Sequence, residues 1–125
     1  MTTTIQRIEN GALAVAILLV MIAVHQPWWL LLAAFLLFDL SALGYLRNAR
    51  AGAFTYNVVH NYTGPAVAVS LYLALVLMDR PVTWLALLAA CWGFHVALDR
   101  ALGYGLKLDD FAHTHLGRIG RGSRT

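Results

Sequence analysis

Four apolar segments of membrane-spanning length follow one another along the chain, with only short polar turns between them. They cover approximately residues 8–24, 28–46, 54–78 and 84–107. A helix needs about 20 mostly apolar residues to cross the hydrocarbon core of a bilayer. Of the 125 residues, 60% are hydrophobic and 12% are charged, whereas soluble domains are typically about 45–50% apolar and about 25% charged. The sequence therefore predicts an all-α membrane protein, a bundle of four transmembrane helices.

The basic residues predict the orientation of this bundle, because Lys and Arg are enriched in cytoplasmic loops. Arg7 lies near the N-terminus, Arg47 and Arg50 lie in the middle turn, and further basic residues follow the fourth segment. Only Arg80 falls on the opposite side. We therefore expect both termini in the cytoplasm, a transmembrane domain over residues 1–107 and a polar cytoplasmic tail over residues 108–125. The N-terminus lacks the features of a cleaved signal peptide.

The second and fourth segments end on the same tetrapeptide, Ala-Leu-Gly-Tyr, at residues 42–45 and 101–104. An aspartate precedes each copy, Asp39 in the second segment and Asp99 in the fourth. Two parallel helix-hairpin repeats, related by an axis along the membrane normal, would explain the match. Chance recurrence of residues that are common in membranes would explain it equally well.

Charge and cysteine content exclude several classes of protein. The net charge of +3 is carried mostly at segment ends, which is typical of membrane topology, and no basic cluster alternates with aromatics as a nucleic-acid site requires. The expected partner is the lipid bilayer, with a homodimer as a further possibility for such short spans. The single cysteine, Cys91, cannot form an internal disulfide and is interpreted as a small buried hydrophobe.

The most informative polar residues lie inside the apolar segments. His95 and Asp99 are four residues apart, so they share one face of the fourth helix. Ionisable side chains are rare and costly in hydrocarbon, and such a pair is a functional-site hypothesis by default. Counting about 1.5 Å per residue from the tyrosines at the cytoplasmic interface places Asp39 and His60 at a similar depth. We therefore expect one polar cavity in the cytoplasmic half of the bundle.

The chemistry that this cavity could perform follows from its residue types. His and Asp side chains bind Zn²⁺, Mn²⁺ or Fe²⁺ and can leave a position for water. A histidine held by a carboxylate is also a general base. The candidate catalytic residues and metal ligands are His60, His95, Asp39 and Asp99, with His115 as a further ligand from the tail and with Tyr56, Asn57, Asn61 and Glu9 in supporting positions.

Three functions fit these residues. The first is a membrane hydrolase that uses a metal ion on a small or lipid-like substrate. The second is a non-catalytic scaffold, accessory subunit or small-ligand carrier, in which His95 and Asp99 only lock helices together. The third is an ion pathway, which the almost purely apolar outer halves of the spans disfavour. The sequence leaves the first two open and favours the hydrolase.

Several motifs, at residues 7–10, 39–45, 56–60, 98–107 and 114–120, extend over nearly the whole chain. Together they resemble a bacterial family of small integral membrane proteins, the domain of unknown function numbered four-two-six-zero. The resemblance implies a multi-pass protein of the bacterial inner membrane and assigns no activity. A fainter similarity is to membrane-bound metal-dependent hydrolases, but the chain lacks their His-Arg-Gly…Thr-His signature, so this similarity assigns no residue a role.

Overall fold

The computed structural model describes residues 1–107 and 113–119, and the regular secondary structure of these residues is helical apart from one short hairpin. The helices are α1 (Thr2–Ala23), α2 (Leu30–Ala33), a 3₁₀ segment (Phe35–Leu46), α3 (Ala49–Val59), α4 (Thr63–Leu77) and α5 (Thr83–Leu102). The hairpin pairs β1 (His113–Thr114) with β2 (Gly117–Arg118). The predicted helical class is confirmed. Most of the predicted tail, residues 108–112 and 120–125, lies outside the described residues.

Two helices, α1 and α5, are long and apolar enough to cross a membrane. The four predicted spans are not confirmed as four continuous helices. The first and fourth spans correspond to α1 and α5, but α1 begins six residues before the predicted start at Ile8. The second and third predicted spans are each divided into two shorter elements, and both divisions bear on the site described below.

The second predicted span begins with one turn of α-helix, and most of it is a 3₁₀ helix. Two side-chain hydroxyls donate hydrogen bonds to backbone carbonyls of the 3₁₀ segment, one from the segment itself and one from α3. The Ser41 hydroxyl donates to the Phe38 carbonyl at 2.8 Å, and the Thr55 hydroxyl of α3 donates to the Ser41 carbonyl at 2.6 Å. Gly44 permits this close packing, because a Cβ there would lie 2.8 Å from the Ala51 carbonyl oxygen. The segment carries Asp39 along the side of α3.

The third predicted span is broken at residues 60–62. The sequence indicated a kink at Gly64-Pro65, but α3 ends at Val59 and His60 adopts a non-helical backbone (φ −93°, ψ 38°). Pro65 lies in the first turn of α4, where a missing N–H costs nothing because that group has no partner within the helix. The break therefore precedes the proline and leaves His60 at the end of a helix.

The fourth predicted span ends at Leu102, five residues before the predicted boundary at Lys107. Gly103 adopts a left-handed conformation (φ 100°), and the Tyr104 N–H donates to the Asp99 carbonyl at 2.8 Å. This is the glycine-capped helix end expected from left-handed geometry. The matching tetrapeptide at residues 42–45 is part of the 3₁₀ segment instead, so the two copies differ in local structure.

The helices pack in two groups around α5. Helices α1 and α4 both contact α5, and the 3₁₀ segment packs along α3 and reaches α5. The buried cluster consists of Ala14, Met21, Leu31, Cys91, Phe94 and Ala97. Cys91 is buried, as its apolar surroundings predicted. Large apolar side chains cover the outside, among them Leu36, Leu37, Leu40 and Leu43 of the 3₁₀ segment.

Candidate metal centre

Four ionisable side chains converge where the 3₁₀ segment, the end of α3 and the middle of α5 meet. Asp39 comes from the 3₁₀ segment, His60 caps α3, and His95 and Asp99 lie on one face of α5. One ligand atom from each of the four lies within 4.8 Å of all the others. The sequence placed the four residues at one depth, and the structure brings their side chains together.

The ligand atoms lie close enough together to hold one metal ion. His60 Nε2 lies 3.3 Å from Asp39 Oδ1 and 3.5 Å from Asp99 Oδ2, and His95 Nε2 lies 3.4 Å and 3.2 Å from the same oxygens. The two histidine nitrogens are 2.9 Å apart, and all four ligand atoms lie within 4.8 Å of one another. A shift of a few tenths of an ångström in these side chains would bring all four to the distance of about 2.0–2.2 Å at which zinc binds N and O ligands.

The hydrogen bonds of His60 determine which of its nitrogens faces the cluster with a lone pair. Its Nδ1 lies 2.9 Å from the Tyr56 carbonyl oxygen. Because a carbonyl oxygen only accepts hydrogen bonds, Nδ1 carries the proton. In the neutral ring Nε2 is then unprotonated and offers a lone pair. This lone pair faces the carboxylates of Asp39 and Asp99, an arrangement that a bound cation would stabilise. A backbone carbonyl on the outer nitrogen is also the usual partner of a metal-binding histidine.

Aromatic rings pack against His95 on the side away from the cluster. Its ring centroid lies 4.3 Å from that of Phe35 and 5.4 Å from that of Phe38. Within the described residues its Nδ1 has no hydrogen-bond partner. The rings fix the imidazole plane and leave Nε2 directed at the other three side chains. Neither phenylalanine stands out in the sequence, because an aromatic residue in an apolar segment gives no sign of what it contacts.

A second layer of contacts positions the cluster. The Tyr56 hydroxyl donates to Asp99 Oδ2 at 3.4 Å, and its ring stacks on His60 at 3.6 Å with an interplanar angle of 5°. The Trp92 indole N–H donates to the Val59 carbonyl at 2.6 Å, which holds the end of α3 beside His60. Tyr56 was predicted in a supporting position. Trp92 was not, because its role depends on the break after Val59.

The four side chains differ in their exposure to solvent. The side chains of His60 and His95 are 2% and 0% exposed, that of Asp99 is 11% exposed, and that of Asp39 is 42% exposed. The cluster is therefore closed on three sides and open at Asp39. Any small molecule that reaches the cluster from outside meets Asp39 first.

The comparisons with known proteins concern the family of the chain. A family model described as a domain of unknown function, DUF4260, matches residues 3–119. The chain belongs to this family. The resemblance inferred from its motifs is therefore confirmed. No curated protein and no solved structure matches the chain, so the chemistry of this DUF4260 protein has to be argued from its own geometry.

Two of the predicted supporting residues of the DUF4260 chain are asparagines, and their side chains form hydrogen bonds with the backbone and not with the four-residue cluster. The Asn57 side chain donates to the Lys107 carbonyl at 2.6 Å and accepts from the Lys107 N–H at 2.5 Å, which ties the chain after α5 to α3. The Asn61 carboxamide oxygen accepts from the Thr63 N–H at 2.8 Å at the start of α4. Both contacts position the helix break near His60.

Glu9 and His115 are placed in a separate cavity and not at the four-residue cluster. His115 Nδ1 accepts from the Leu106 N–H at 2.8 Å. Burial of the ring and the nearby positive charge of Arg100 lower the pKa of His115, which favours the neutral imidazole. The structure thus separates His115 from the other predicted ligands. The side chain of His113 lies outside the described part of the chain.

Proposed function

We propose that this protein is a metal-dependent hydrolase of the bacterial inner membrane that acts on a lipid-like or membrane-partitioned substrate. The observation that carries the proposal is the convergence of two imidazole nitrogens and two carboxylate oxygens within 4.8 Å of one another. Such a donor set binds Zn²⁺, Mn²⁺ or Fe²⁺.

The difference in exposure divides the four residues into two roles. Catalytic zinc sites keep three protein ligands and leave one position open. His60, His95 and Asp99 are the enclosed residues and serve as the three ligands. Asp39, at the open side, is the general base. In a hydrolysis, a water molecule adds its hydroxyl to the carbonyl or phosphoryl centre, Asp39 accepts the proton, and the proton then passes to the leaving group. The metal ion supplies the Lewis acidity.

The surface around Asp39 supports a membrane-partitioned substrate. Leu36, Leu37, Leu40 and Leu43 surround it in the sequence, and all four are exposed. A substrate that approaches Asp39 therefore crosses an apolar surface. With α1 and α5 long enough to span a bilayer, this surface would face lipid. A multi-pass location in the inner membrane would then bring the cluster within reach of lipid-like esters.

A second function is supported by the fact that the cluster links separate parts of the chain. Its four side chains link three elements that are distant in sequence, so the same contacts would stabilise a non-catalytic scaffold or ligand carrier. In that case all four residues would act as equivalent ligands or hydrogen-bonding partners. The two functions therefore differ in what they predict for Asp39.

Metal content and hydrolysis of model esters in three variants test the proposal. In detergent-purified wild type we expect about one metal ion per chain. His95→Ala should lose the metal, since it removes an enclosed ligand. Asp39→Asn should keep the metal and lose hydrolysis. Arg47→Gln, an exposed change on the adjoining turn, serves as the control and should keep both.

Two outcomes would contradict the proposal. If wild type and His95→Ala contain equally little metal, the cluster is not a metal centre. If Asp39→Asn loses metal to the same degree as His95→Ala, and no ester is hydrolysed by wild type, the four residues form a structural site and the scaffold function replaces the hydrolase.

A further inference from the structure

A second polar site lies away from the candidate metal centre. It is a cavity of about 320 Å³, bounded by the start of α1, the C-terminal turn of α5 and the tail hairpin. Its lining includes two residues of opposite charge, Arg100 and Glu9, together with His115. None of the four candidate ligands lines it, so any ligand bound here is bound independently of the metal.

Arg100 lines this cavity and packs against an aromatic ring. Its guanidinium carbon lies 4.8 Å from the centre of the Tyr62 ring, which holds the side chain in place. The Nε atom is buried, and it has no hydrogen-bond partner in the described part of the chain. Arg100 also forms no ion pair within residues 1–107 and 113–119. Within the described residues the guanidinium is held in place without an acidic partner, and such a group is suited to binding a phosphate.

His115 adds a second donor. Because its Nδ1 accepts from the Leu106 N–H, the proton of the neutral ring is on Nε2. Glu9 is exposed and, across the described ranges, has no salt-bridge partner. The cavity therefore offers one cation and one anion. This pattern matches a zwitterion with a phosphate and an ammonium group. Glu9 would repel a ligand that carries only negative charge.

An apolar groove continues from the polar cavity. It runs between α1, α4 and α5, has a volume of about 720 Å³, and shares Leu13 and Tyr62 with the cavity. Its walls are nearly all apolar, with Ile17, Val69 and Ala90 among them. Cavities of about 300–1,000 Å³ are the size that binds small organic ligands. A charged cavity joined to an apolar groove has the shape and polarity of an amphiphile.

We propose that the cavity and the groove together bind one glycerophospholipid with an ammonium headgroup, with its phosphate on Arg100 and His115, its ammonium near Glu9 and an acyl chain along the groove. The charge complementarity at the headgroup distinguishes this lipid from the lipids that surround any membrane protein. The proposal does not depend on the metal centre or on hydrolysis.

Native mass spectrometry of delipidated protein in detergent tests this site. The probes are phosphatidylethanolamine and phosphatidylglycerol with identical acyl chains, and soluble phosphoethanolamine as the headgroup alone. Wild type should bind one phosphatidylethanolamine in preference to phosphatidylglycerol. Arg100→Gln should weaken that binding about tenfold or more, as expected for loss of a charge-assisted hydrogen bond. Arg47→Gln, in the turn between the 3₁₀ segment and α3, is the control and should not weaken it. Phosphoethanolamine alone should bind far more weakly than the whole lipid.

Two further variants keep the test valid if Arg100→Gln folds poorly. Glu9→Gln changes an exposed side chain and should abolish the preference for phosphatidylethanolamine. Ala66→Trp should fill the groove from its exposed edge and weaken binding of the lipid, whereas its neighbour Val67, which is exposed and outside the groove lining, should tolerate Val67→Trp. Equal binding of both lipids by wild type, or equal binding by the Ala66 and Val67 variants, would overturn the proposal.

Discussion

Loading the protein with Zn²⁺ should give a metal environment whose dimensions follow from the cluster. The imidazole nitrogens and carboxylate oxygens lie 3.2–3.5 Å apart, close enough for one Zn²⁺ to draw them in as ligands at its usual distance of about 2.0–2.1 Å. X-ray absorption spectroscopy should therefore show four N or O neighbours at that distance, with outer-shell scattering from two imidazole rings. The three-ligand proposal keeps the count at four, because a water replaces Asp39.

Paired variants make this prediction specific. His95→Ala should remove the scattering of one imidazole or abolish binding altogether. His25→Ala is the matched control, since His25 lies exposed in the turn after α1, and it should leave the spectrum unchanged. At a free zinc concentration one hundred times the dissociation constant, the unfolding free energy of wild type should rise by about 2.7 kcal/mol. A six-coordinate shell of oxygens, or an unchanged spectrum in His95→Ala, would refute the geometry.

Three other perturbations address the supports of the two sites. Gly64→Ala should destabilise the protein by about 1–3 kcal/mol in denaturant unfolding, because a Cβ there would lie 2.8 Å from Cε2 of the Trp92 indole and still closer to Cζ2 and Cη2. Trp92→Phe should cost about 1–3 kcal/mol by leaving the Val59 carbonyl without its donor, and should weaken metal binding through the displaced end of α3. His115 has a pKa below its ordinary value of 6.5, so the unfolded chain takes up its proton first and stability should fall as the pH falls through 6.5. His115→Gln should show a smaller fall in melting temperature over that range.

The sequence was sufficient to predict the central members of the cluster. His95 and Asp99 share a helix face because four residues make about one turn, and this holds in α5. Asp39 and His60 were placed at the same depth by counting residues from interfacial tyrosines. The structure brings the two side chains to His95 and Asp99 even though their segments are not continuous α-helices. Ionisable groups in an apolar chain are costly unless they meet one another.

Other parts could not be read from the sequence. The break after Val59 was assigned to Gly64-Pro65, because proline is the strongest local signal, whereas the actual break depends on the Trp92 and Asn61 contacts. Glu9 and His115 were assigned to the cluster from depth alone. Depth does not specify the direction in which a side chain points around its helix, and the structure places both in the separate cavity.

The sequence by itself determined the helical class, the family and the types of ligand available, because hydropathy and residue chemistry are local properties of the chain. The tertiary structure decided which ligands meet, which of them stays open to solvent, and that a charged cavity opens into an apolar groove. Those features depend on distances between residues far apart in sequence, such as the 3.3 Å between His60 Nε2 and Asp39 Oδ1. Such distances are set only when helices pack against one another.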